Sequence, residues 1–367
     1  MSAQAATKSG PPVMEVNLAQ AKELVMDCGR AKHTCNLVSS PGVGKSAIVR
    51  EIAEEWRLKV IDIRLTEYDP TELNGYPFIL NPTDPIHMVK AGHVPMITFP
   101  TEHDSVPEGY KGWMIILDEF SSAPLSVQAA AYKITLDRMV GSHKLHKNCI
   151  IVTAGNKATD KAIVNRLSTA QQSRFSTLMI KVDLNTWLEW ANRVNTTTNL
   201  VNIDYRVRTF LGWKPDLLHD FNPNHADLTF PCPRTWHFVS NLAVANKWVE
   251  IAYSKLPLLA GTVGHGAARQ FHAFCEIFKD LPTIHEILAD PQHCRLPDEI
   301  SVHHAAAGLV GHHINKDNAK ALFQFLSRLP ADLQTITLRN AIKHNEQLRV
   351  VPELLQWAAQ NSKELIA

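Results

Sequence analysis

The feature that most constrains the fold is a junction at residues 34–46. There a short apolar run ending in Leu37-Val38 meets the turn Ser39-Ser40-Pro41-Gly42-Val43-Gly44, and Lys45-Ser46 then opens a helical pattern. A glycine-rich turn between a strand and a helix is a phosphate-binding loop. Its backbone N–H groups and the helix N-terminus point at phosphate oxygens, and glycine lets the backbone come close. Pro41, Gly42, Val43 and Gly44 supply the cradle, Lys45 reaches the β- and γ-phosphates of ATP, and the Ser46 hydroxyl holds Mg2+. The helix after the turn reads clearly: Ile48, Val49, Ile52, Ala53 and Trp56 recur at helical spacing, while Glu51, Glu54 and Glu55 take the polar side. Ser39 stands where the motif carries glycine, and a left-handed backbone there would cost a serine about 1 kcal/mol.

Around this junction, five short apolar runs at 34–38, 60–65, 113–117, 149–154 and 177–182 predict a parallel sheet, because strands covered on both faces are apolar almost throughout. After Asp183 the strand pattern ends and amphipathic helices follow, separated by proline-rich breaks. The expected architecture is an α/β P-loop NTPase-type parallel sheet with helices on both faces, then an all-helical lid and a helical C-terminal extension. In numbers, this is a loose tail over 1–13, the nucleotide-binding core over 14–183, the lid over 184–296 and the extension over 297–367. Residues 80–112 carry Pro82, Pro85, Pro95, Pro100 and Pro107, which break any long element in that connection.

A second group of polar residues falls at strand ends. Met114-Ile115-Ile116-Leu117-Asp118-Glu119 places two carboxylates after an apolar run, at the edge where such sheets bind ligands. Asp118 is expected to position Mg2+, and Glu119 to orient or deprotonate the attacking water. The fourth run ends at Thr153-Ala154-Gly155-Asn156, delivering an amide to the same edge.

These stretches resemble the AAA+ superfamily, and more closely its MoxR branch. Residues 40–46 resemble that family's phosphate loop, 65–75 its segment after the second strand, and 118–124 its Asp-Glu stretch ending in Ala-Pro; together the likeness spans roughly residues 15–260. The resemblance implies that Asn156 is the sensor-1 amide. It makes Arg174, in the segment ending Arg174-Phe175, the arginine finger acting in trans, with Arg166 as the alternative. It also makes Arg234, in Pro233-Arg234-Thr235-Trp236, a lid residue touching nucleotide. The hairpin-like stretch 137–145, turning at Gly141-Ser142, would face a central pore. Phe120-Ser121 departs from the family, which carries a polar pair there. The function implied is an ATP-hydrolysing homo-oligomeric motor, a six-subunit ring that remodels a protein, with a von Willebrand factor A domain protein as partner.

Composition bears on the alternatives. Lys plus Arg number 37 against 36 Asp plus Glu, a net charge of +1, so no global basic field holds nucleic acid. A nucleic-acid translocase or loader on the same fold would depend on a local lining such as Lys90, Lys111, Lys144 and Lys147. A nucleotide-gated scaffold with negligible turnover is the third reading, prompted by Phe120-Ser121. The six cysteines form no C-x-x-C pair and read as reduced thiols. No run is long and apolar enough to span a bilayer, and 1–12 lacks the apolar core of a secretory signal, so a cytoplasmic protein is expected.

Overall fold

The computed structural model describes residues 14–79, 91–94, 99–141, 143–160, 165, 172–195, 200–224 and 227–360. They form two compact units, one ending at Lys181 and one beginning at Val182. The first unit runs β1 (Glu15–Val16), α1 (Leu18–Arg30), β2 (Cys35–Ser39), α2 (Lys45–Glu55), β3 (Leu58–Arg64), α3 (Pro70–Asn74), β4 (Tyr76–Ile79), β5 (Ala91–Val94), β6 (Gly112–Asp118), α4 (Leu125–Tyr132), β7 (Met139–Val140), β8 (His143–Lys144), β9 (Cys149–Asn156) and β10 (Ser176–Ile180).

Six of these strands pair side by side in the order β1-β10-β2-β9-β6-β3, every neighbouring pair parallel. Residues of β6 show why the sheet is buried on both faces. Ile115 and Leu117 pack with Val127, Ala130 and Ala131 of α4. Met114 and Ile116, pointing the other way, are equally buried on the face where α2 meets β6. Each such side chain contributes about 1.5–3 kcal/mol by leaving water. This is the α/β P-loop NTPase-type fold with helices on both faces. Because β9 lies between β2 and β6, the ends of the three strands that carry the loop, the amide and the carboxylates are neighbours.

The observed strands differ in detail from the expected runs. β9 continues past 154 to take in Asn156, and β1, two residues long, adds an edge strand beside β10. The proline-rich connection is flanked by a ribbon in which β4 and β5 pair antiparallel, Tyr76 opposite Val94; residues 80–90 and 95–98 lie outside the described residues. The stretch 137–145 forms the ribbon β7-β8, with Val140 opposite His143 and Gly141 at φ 55°.

The second unit is helical: α5 (Leu184–Ala191), α6 (Tyr205–Trp213), α7 (Pro233–Ala245), α8 (Leu256–Val263), α9 (His265–Asp280), α10 (Ile284–Ala289), α11 (Ile300–His313), α12 (Ala319–Leu326), α13 (Ala331–His344) and α14 (Pro352–Gln360). One apolar core runs from Trp187 of α5 to Leu354 of α14. At its centre Phe210 lies 5.3 Å from Phe271, 5.5 Å from Phe274 and 5.6 Å from Trp236, measured between ring centroids. Residue 297 falls between α10 and α11, and both helices feed that core through Ile287 and Val302. All six cysteines are free thiols, and Cys35, Cys149, Cys232 and Cys275 are buried. Burial pushes the Cys149 thiol up to about 12. Among the described residues no helix is long and apolar enough to cross a membrane.

Candidate nucleotide site

The turn between β2 and α2 is left-handed at two glycines, Gly42 (φ 78°) and Gly44 (φ 113°), and Gly44 caps the start of α2, where no side chain takes the cap position's hydrogen bond. Val43 between them is buried and anchors the turn. Ser39, where the motif has glycine, is not among the residues with positive φ. It ends β2 as extended backbone paired with Asn156 of β9, so the expected strain does not arise. Its hydroxyl instead receives the Lys45 ammonium at 2.9 Å and donates to the Ser40 carbonyl at 2.7 Å.

Lys45 is 9% exposed, and its amine also donates to Asn156 Oδ1 at 3.2 Å. A buried ammonium must be held by oxygens, and here they come from the ends of two adjacent strands. Ser46, one residue on, donates from Oγ to Asp118 Oδ2 at 2.6 Å. The other Asp118 oxygen accepts the Glu119 backbone N–H at 2.8 Å. Glu119 turns the chain sharply at φ 57°, a left-handed conformation few side chains adopt, and presents its carboxylate outward. Thr66, just beyond β3, donates to Glu119 Oε2 at 2.5 Å, and Arg64 Nε lies 3.9 Å from Oε1. Arg64 is itself bound to Glu67 at 3.0 Å, which raises its basicity first, with Glu119 adding to the effect.

Phe120 and Ser121 occupy two different environments. Phe120 is 1% exposed and sits edge-on to Phe175 at 5.4 Å and to Tyr132 at 6.0 Å. Ser121 Oγ accepts the Asn156 N–H at 3.2 Å, and its carbonyl accepts the Asn165 N–H at 2.7 Å. A Cβ on Gly155 would stand 2.5 Å from Ser121 Oγ, so the glycine is what lets Ser121 approach β9. The pair that breaks the family pattern therefore packs the turn after β6 against β9 and Phe175.

Of the predicted residues, the structure brings together Gly42, Gly44, Lys45, Ser46, Asp118, Glu119 and Asn156. Pro41 and Val43 complete the turn. Arg174 is exposed, directly before Phe175 and ahead of β10. Arg166 lies outside the described residues. Arg234 is the second residue of α7 in the other unit and is exposed. Thr66 and Arg64 join the site without having been singled out, and Ser121, noted in the sequence only as half of a departure from the family's polar pair, joins it as the acceptor of the Asn156 N–H. Thr66 carried a signal, since it follows the end of an apolar run on the ligand edge.

No family model matches the chain, and no curated protein does. Solved structures that superpose on it in part include a proposed ATPase from Cytophaga hutchinsonii, at 14% identity over 89% of this chain and 81% of that one, with a TM-score of 0.35. NtrX from Brucella abortus in complex with ADP is 14% identical over 97% of this chain and 70% of that one, with a TM-score of 0.38. At TM-scores this low the likeness decides nothing about fold or site, which rest on the strand order and side-chain geometry described above.

Proposed function

We propose that the chain is an ATPase, an AAA+ ring motor of MoxR type that remodels a protein partner. The observation that carries this reading is the convergence of Lys45, Ser46, Asp118 and Asn156, from three neighbouring strand ends, on one glycine-rich turn at the C-terminal edge of a parallel sheet. The turn's N–H groups and Lys45 bind the phosphates. The Ser46 hydroxyl and Asp118 carboxylate, already in contact, are oxygen donors of the kind Mg2+ takes, and they fit that ion. When bound, Mg2+ neutralises charge on the β- and γ-phosphates. Glu119 orients the attacking water and takes its proton, after its carboxylate leaves Thr66. Asn156 holds the γ-phosphate from the β9 side.

Arg174 suits action in trans, because its guanidinium is exposed while Phe175 fixes the chain beside it. In a ring it would meet the nucleotide of the next subunit, where such a group contributes about 10³–10⁵ in rate. Arg234 would reach nucleotide from the helical unit. A six-subunit ring and a von Willebrand factor A domain partner complete the proposal. Its test is ATP hydrolysis per subunit against protein concentration, with mass followed by light scattering. Activity should rise with assembly, and Arg174→Ala should assemble yet hydrolyse little. Full turnover by Arg174→Ala, or a rate indifferent to assembly, would count against the ring.

A further inference from the structure

At the opposite edge of the same sheet, where β3, β6 and β9 begin, lies an open cavity of about 370 Å³. That volume suits a small organic ligand. Its apolar floor comes from Leu58, Cys149 and Ile150, with the Trp56 ring beside them. Four cations rim it: Arg30, the last residue of α1 and paired with Asp27 at 2.8 Å, Lys32 after α1, Lys111 before β6 and Lys147 before β9. Against these stands one carboxylate, Glu55, which is held by Lys22 at 2.6 Å. The lining thus carries a net +3, while the whole chain carries +1.

Basic residues beside helix C-termini often serve only to offset carbonyls left without partners. That explanation is weakened here, because several of those carbonyls already accept backbone N–H groups. Asp27, Cys28 and Gly29 at the end of α1 accept the N–H groups of Ala31, His33 and Lys32, and Ile52 and Glu54 of α2 accept those of Trp56 and Arg57. Nor are the lysines spent on acids: among the described residues no carboxylate pairs with Lys32, Lys111 or Lys147. Lys111 is also held at a fixed place, tied to Asn148 next to Lys147. The Lys111 N–H donates to Arg57 at 2.7 Å, and the Asn148 amide donates to the Lys111 carbonyl at 3.0 Å. Arg30 stacks over Trp56 at 5.3 Å, presenting a cation and a ring as one surface.

We propose that this cavity is a second anion site, which takes a nucleotide unit with its phosphate on Lys32, Lys111 and Lys147 and its base against Trp56 and the apolar floor. Cationic rim and aromatic floor together match a phosphate ester carrying a planar ring, whether a free nucleotide or one residue of a single strand. The site is separate from the phosphate loop and does not depend on ATP hydrolysis there.

The test uses full-length protein and two probes without a triphosphate, a fluorescent short thymidine oligonucleotide followed by anisotropy and thymidine monophosphate as competitor. Wild type should bind the oligonucleotide at about 50 mM salt, with a log–log salt slope near about −0.7 for the one phosphate held by the three lysines. Lys111→Glu with Lys147→Glu, both exposed, should weaken binding at least tenfold and flatten the slope. Trp56→Leu should weaken it with the slope kept, and Lys45→Ala should bind as wild type does. Displacement by the monophosphate would identify a free nucleotide as the ligand, and its failure to compete would identify a strand. Absence of wild-type binding to both probes, or wild-type affinity in the double lysine variant, would overturn the proposal.

Discussion

Gly155 and Ser121 offer the sharpest test of how the site is built, because the structure fixes both the conflict and its relief. An alanine Cβ at 155 would meet Ser121 Oγ at 2.5 Å and Ser121 Cβ at 3.2 Å. Ser121 cannot easily yield, since its Oγ holds the Asn156 N–H at 3.2 Å and its carbonyl holds Asn165 at 2.7 Å. Gly155→Ala should therefore cost about 1–3 kcal/mol in overpacking, less about 0.5 kcal/mol that alanine recovers in chain entropy. Ser121→Ala should cost about 1 kcal/mol, the acceptor lost to Asn156. In the double variant the hydroxyl is gone and the nearest approach becomes the Cβ pair at 3.2 Å, a contact that a shift of a few tenths of an ångström relieves. The double variant should then fall short of the sum of the singles by about 1 kcal/mol or more. Urea-dependent hydrogen exchange of the β2 and β9 amides reads this for the first unit apart from the helical one. Additivity within about 0.5 kcal/mol would refute the contact. Gly155→Ala should also weaken ATP binding, because a displaced Asn156 no longer meets Lys45.

Lys45→Ala should abolish ATP binding, read by a fluorescent ATP analogue; retention of wild-type affinity would place the phosphates elsewhere. Phe120→Ala should destabilise the first unit by about 3–5 kcal/mol, while Phe120→Leu keeps most of the packing, and a loss under about 1 kcal/mol for alanine would show that the ring is not part of the core. In the second unit, burial lowers the basicity of His237 and His304, so their folded-state values lie below the usual 6.5. The unfolded chain then takes protons first as pH falls, so stability is complete above 6.5 and declines below it. The urea midpoint of that unit should drop between about pH 7 and about pH 5.5, and a flat profile would contradict the burial.

Much of the fold was legible because the central strands β2, β6 and β9 are apolar runs ended by polar residues, and their burial on both faces leaves no alternation to confuse the pattern. That the loop, Asp118-Glu119 and Asn156 meet at one edge was legible because each follows or ends an apolar run, and parallel strands bring those ends together. β1 left no trace, since two residues cannot show a period. The β4-β5 ribbon was hidden by Pro77, which argues against a strand until the partner at His93 is known. At Ser39 the motif suggests a glycine conformation, but the backbone there is extended and the hydroxyl serves Lys45, so the conditional cost does not apply. Phe120 looked like a lost polar function, and only the meeting of β6 with Phe175 reveals it as packing. The basic cavity was out of reach for a related reason: Lys111 and Lys147 were noticed, but Arg30, Lys32 and Trp56 join them only once β3, β6 and β9 lie side by side.

The most direct test of the central claim is to compare ATP binding and single-turnover phosphate release in wild type and Glu119→Gln. The site predicts that Glu119→Gln keeps near wild-type affinity, since Lys45, Ser46 and the turn are untouched, and loses phosphate release by at least about a hundredfold. Undiminished release by Glu119→Gln would mean that the chemistry, if it occurs, is not performed by this carboxylate at this sheet edge.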